Sequence, residues 1–162
     1  MRKYSVFVLI LALIAALTGC QSGDVSHEPE EQITVTVGNE EFTARRGGYS
    51  WNTKGTSVIA CGRHVLQSKD DLEPVVLDSK LSTDGAVEVS LTFITPPDTM
   101  TLTCWTGDSW DNTGAAPVDE KKLTPTWSED GTCQLELRYG NYIYELTAIW
   151  NKTDSYGGEV QY

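Results

Sequence analysis

Ser109 follows Gly107-Asp108, and His64 lies upstream of it. A hydroxyl, a carboxylate and an imidazole are the ingredients of nucleophilic hydrolysis. The surroundings argue against that chemistry. Trp110-Asp111 follow Ser109 where trypsin-like proteases carry two glycines, and the G-x-S-x-G turn that exposes a nucleophile is missing. Asp, Ser and Asn after a strand ordinarily make a loop. No catalytic residue is assigned, and a small hydrolase using Ser109 or His64 is kept only as an alternative. Cys61-Gly62-Arg63-His64 offers a thiolate and an imidazole to a metal. Zinc usually takes four such ligands, and no second Cys/His pair accompanies these, so no metal and no cofactor is assigned.

Asp108, Asp111 and Asn112, with Asp119 and Glu120 downstream, could turn oxygens toward calcium. Their spacing departs from the EF-hand loop, and a cation-binding surface module is a second alternative. Aromatic residues stand in the same stretch. Trp105 and Trp110 flank Asp108, and Trp127 follows. Aromatic rings beside carboxylates can stack on sugars or anchor a protein partner. Trp105, Trp110, Asp108 and Asp111 are therefore the candidate binding residues. The competing reading is that Trp105 packs beneath a loop or a neighbouring strand.

One cysteine has a different chemistry. Arg2 and Lys3 open the chain, residues 6–17 form an unbroken apolar run (VFVLILALIAAL), and Leu17-Thr18-Gly19-Cys20 follow. A basic start, an apolar run and small residues make a secretory signal peptide. The run has 12 residues, whereas a membrane-spanning helix needs roughly 20 to cross about 30 Å. Leu17-Thr18-Gly19-Cys20 resembles the bacterial lipobox, which implies a diacylglyceryl group on the Cys20 thiol and cleavage just before it. Two acyl chains anchor stably where one does not. The expected organisation is a signal peptide over 1–19, a lipidated Cys20 with a polar tether over 20–32, and one domain over 33–162. The expected location is the extracytoplasmic side of the cell membrane.

Loss of Arg2 and Lys3 with the signal would take the formal charge from −11 to −13. Such a surface repels nucleic acid and anionic lipid, so the lipid on Cys20 must supply the membrane contact. The segment 21–32 (QSGDVSHEPEEQ) is acidic, contains Pro29 and shows no hydrophobic period. It reads as a flexible tether.

The domain that would position these residues is strand-like throughout. Val87, Val89, Leu91 and Phe93 alternate with Glu88, Ser90 and Thr92. The same period of two runs through Met100-Leu102-Cys104, Cys133-Leu135-Leu137 and Tyr142-Tyr144-Leu146-Ala148-Trp150. That period marks half-buried strands. Turn signals separate them at Gly47-Gly48, Asp84-Gly85, Pro96-Pro97, Asp130-Gly131, Gly140-Asn141 and Gly157-Gly158. The expected fold is all-β, an antiparallel Ig-like β-sandwich, with a β-meander or barrel as the alternative. The stretch 135–150 resembles the last strands of bacterial Ig-like domains, where the chain changes sheet and a tyrosine fixes the corner. The alternative there is local, because Gly140-Asn141 would also serve as a two-residue hairpin.

A wider resemblance rests on Gly48-Tyr49-Ser50-Trp51, on residues 60–67 (ACGRHVLQ), on Thr103-Cys104-Trp105, and on residues 144–150 (YELTAIW) with Tyr156-Gly157-Gly158. Together these are similar to a group of small, uncharacterised lipoproteins of Gram-positive bacteria. Val65 stands where that group has proline. The resemblance implies a lipoprotein with a β-rich domain and brings no activity.

Two further expectations close the reading. Cys104 and Cys133 share the phase of the apolar face on their strands, so both point into the core, and an oxidising compartment permits a disulfide between them. They could equally stay as buried free thiols. The expected function is non-enzymatic: a membrane-anchored module binding a protein, a glycan or a cell-wall component.

Overall fold

A computed structural model describes residues 32–53, 55–151 and 156–162. The signal segment, Cys20 and all of the tether except Gln32 lie outside the described residues. In chain order the strands are β1 (Thr34–Val37), β2 (Glu40–Thr43), β3 (Tyr49–Thr53), β4 (Thr56–Ala60), β5 (Ser82–Thr83), β6 (Ala86–Thr92), β7 (Thr99–Thr106), β8 (Asp119–Leu123), β9 (Thr132–Arg138), β10 (Tyr142–Trp150) and β11 (Tyr156–Gln161). Short 3-10 turns connect some of them. The strands form two antiparallel sheets that pack as a sandwich, as expected.

In the smaller sheet β6 is central. β9 pairs along its whole length on one side, and β1, followed by β2, pairs with its second half on the other. The larger sheet has the order β4-β3-β11-β10-β7-β8. Strand period decides what is buried. Val87, Val89 and Leu91 are buried, Glu88 is exposed, and half-buried Ser90 bonds the Gln134 side chain at 3.0 Å on the outer face. Between the sheets Leu91, Phe93 and Cys133 meet Trp51, Met100, Leu146, Ala148, Trp150 and Val160. Trp51 and Trp150 pack edge to face with centroids 5.2 Å apart. The Trp150 indole N–H is not left unpaired, because it donates to the Thr95 carbonyl at 2.9 Å.

The Gly140-Asn141 turn is not a hairpin. β9 pairs with β6, whereas β10 pairs with β7 and β11. The chain therefore changes layer there, which a meander does not do. Tyr144 secures the crossing: its hydroxyl accepts the Arg138 N–H at 2.8 Å and donates to the Arg138 carbonyl at 3.1 Å. Burial pushes the Tyr144 phenol well above its ordinary range, so it remains a donor.

The expected disulfide is corrected. Cys104 and Cys133 are both buried, and both are free. Their phase is as read, but their height along the strands differs. Cys104 lies opposite Tyr144, whose hydroxyl reaches Arg138 at the far end of β9. Cys133 lies near the start of β9, opposite Leu91. Five residues of strand separate Cys133 from the level of Arg138, about 17 Å at ~3.3 Å per residue. A disulfide needs Cα atoms within about 7 Å.

Candidate functional site

The larger sheet turns Met100, Leu102 and Cys104 of β7 inward, so Thr101, Thr103 and Trp105 face outward. Ile143 of β10 lies directly opposite Trp105. Two large apolar side chains would thus stand in water on the outer face. Two loops cover them. Leu66, in a 3-10 turn at residues 65–67, packs on Trp105 and Ile143 and is completely buried. The loop after β7 adds Trp110 and Ala115 to the same cluster.

Polar contacts hold both loops down. The Trp105 indole N–H donates to the Ala115 carbonyl at 3.2 Å. The Asp111 N–H donates to the Leu66 carbonyl at 2.8 Å, tying one loop to the other. The Leu66 N–H donates to His64 Nδ1 at 3.2 Å, and the His64 ring lies edge-on to Trp105 with centroids 6.1 Å apart. Glycine is required where the first loop begins. A Cβ on Gly62 would overlap the backbone of Gly48. The second loop is less constrained, because a Cβ on Gly107 would meet only the end of the Asn141 side chain, which can turn aside.

The corner therefore unites two distant parts of the sequence: His64 with its loop, and the stretch from Trp105 to Asp111. Asp108, Asp111 and His64 are exposed, and Trp110 is half-buried. Trp105 is only 6% exposed, so it is not a displayed binding residue, and the competing reading, packing beneath a loop, is the one that holds. Its outward phase is real, but the 61–67 loop buries it, so it serves as a platform under Leu66 and His64. Beside it on the sheet face stands Glu145, half-buried, opposite buried Thr103. Burial pushes the Glu145 carboxyl up, and the nearby His64 partly offsets this.

The chemistry on offer is limited. The Ser109 hydroxyl pairs with the Thr106 hydroxyl at 3.3 Å, while the His64 Nδ1 is occupied by the Leu66 amide. Neither of these hydrogen bonds joins Ser109 to His64. Among the described residues no three His, Cys, Asp or Glu side chains gather as a metal site. Leu66, Ile143 and Glu145 were not singled out from the sequence. The available signal was the phase of Trp105, whose outward ring needed a cover. No family model matches the chain, and no curated protein and no solved structure matches it either.

Proposed function

We propose that this chain is an extracytoplasmic, lipid-anchored, non-enzymatic binding module for a protein, a glycan or a cell-wall component, and that the partner meets the corner built on Trp105. One observation carries the reading: the loops 61–67 and 107–115 converge at the end of the sandwich opposite the point where the domain begins. β1 starts level with Thr92 and the end of β6. Trp105 and Ile143 sit at the other end, one pair from the limit of the β7–β10 ladder. A tether arriving at Ile33 leaves that end free. Half-buried Trp110 supplies an aromatic ring of the kind that interfaces favour, and exposed Asp108 and Asp111 stand beside it as a polar rim.

The test uses the full-length chain against host surface extract and purified cell wall. Trp110→Ala should weaken capture at least about tenfold, a loss of ~1.4 kcal/mol, with the domain still folded by circular dichroism at the assay temperature and Tm lowered only by the packing that Trp110 adds to the Trp105 cluster. Undiminished capture by that variant, or its loss only through unfolding, overturns the assignment of the site. The anchor is tested separately. Cys20→Ser should be released from membranes or left unprocessed, and a variant cut at the same place yet still membrane-bound refutes lipid anchoring.

A further inference from the structure

We infer that β4 is a strand-pairing edge and that its occupant is a second copy of this chain. Sheet edges carry unpaired N–H and C=O groups and are normally blunted by charge, shortness or cover. The other edges here follow that practice. β8 has four charged residues in five (Asp119, Glu120, Lys121 and Lys122), and β2 begins with Glu40-Glu41. β9 sets Glu136 and Arg138 along its open side, and β5 is two residues long. β4 reads Thr-Ser-Val-Ile-Ala, without charge, proline or glycine. Among the described strands it pairs with β3 alone. Ile59 is 71% exposed on this strand.

The register shows how a second copy would seat. β3 and β4 form a two-residue hairpin with Thr53 opposite Thr56, and the closing pair of such a hairpin is hydrogen-bonded. Hydrogen-bonded and non-bonded pairs alternate along an antiparallel ladder. Val58 therefore bonds inward to Trp51, and the outward-pointing backbone groups belong to Ser57 and Ile59. A second β4 placed antiparallel about Val58 brings Ser57 opposite Ile59 on both sides of the axis. Those are the residues whose free groups can bond. Val58 then faces its own copy in a non-bonded pair, and no two like charges are opposed. The two Ile59 side chains lie on one face as diagonal neighbours, within about 7–8 Å.

Disulfide trapping tests this on the full-length chain in mild detergent. Val58→Cys in a Cys61→Ser background places two thiols across the axis. Cα atoms of a non-bonded pair lie about 4.5 Å apart, within disulfide range. Mild oxidation should give a covalent dimer that peptide mapping places at residue 58. Thr43→Cys in the same background, on the charged β2 edge, should not cross-link. Adding Ile59→Lys to the Val58→Cys variant should lower the yield at least about tenfold while circular dichroism shows the fold retained. Cross-linking of Val58→Cys no faster than Thr43→Cys overturns the inference, as does a yield indifferent to Ile59→Lys. So does protection of the Ser57 and Ile59 amides by host extract but not by the chain itself, which would give the edge to another protein's strand. None of these outcomes depends on the Trp110 capture experiment.

Discussion

Leu66→Ala is the most informative single change, because Leu66 joins the fold to the candidate site. The side chain is completely buried between Trp105 and Ile143, on a loop rather than on a strand. Leucine-to-alanine changes in cores cost about 2–5 kcal/mol, with the larger values where the cavity stays open. Here the strands beneath are fixed but the covering loop can settle, so the lower half applies, about 2–3 kcal/mol. The described domain has about 130 residues, and unfolding entropy scales at ~2.1 cal/mol/K per residue, so each kcal/mol moves Tm by about 4 °C. The expected fall is about 8–12 °C. Gln67→Ala, at an exposed neighbour, should stay within about 0.5 kcal/mol. Thermal melts and urea curves give the energies. Amide exchange at Leu66 and Asp111 reports whether the loop lifts before the sandwich unfolds. A Tm shift below about 3 °C with both amides still protected would refute the claim that Leu66 fastens the loop.

Leu91→Ala, in the main core, should cost about 2–5 kcal/mol, and Ser90→Ala on the opposite face well under ~1; equal costs in denaturant melts would mean the strand faces are misassigned. Thiol titration without reductant should find Cys61, Cys104 and Cys133 all reactive in denaturant, and Cys61 alone reacting promptly in the folded chain. Burial pushes the Cys133 thiol up to about 11 and raises that of Cys104, so neither offers much thiolate. A single reactive thiol in denaturant would contradict this. Glu145→Gln tests the half-buried carboxyl. Its folded pKa is raised above the ordinary 4.5, so the folded chain holds the proton more tightly, and stability from this group grows as pH falls through the raised value toward 4.5. Glu145→Gln should be at least as stable as the parent at neutral pH, with its advantage shrinking on acidification. Parallel Tm-against-pH curves for the two proteins would show the carboxyl to be freely solvated.

What could be read from the residue order is what depends on local period and turn chemistry. The alternation Val87-Val89-Leu91 against Glu88-Ser90 identifies a half-buried strand and its core face, because successive side chains on a strand point to opposite sides. The Tyr-rich strand after Gly140-Asn141 pointed to a change of sheet, and the Tyr144 hydroxyl on the Arg138 backbone secures it. Phase carries no height, however. Cys104 and Cys133 were rightly placed inward, but only the pairing registers set them at different levels of the sandwich. Phase also says nothing about what lies above a face. Trp105 points away from the main core, as its position in the strand requires. It is buried because residues 61–67, distant in the chain, bring Leu66 across it and tie it to Asp111. The same holds for β4: Thr-Ser-Val-Ile-Ala reads as a strand, but that it ends a sheet is a property of strand order. Strand order arises from contacts between distant segments, which no local pattern encodes.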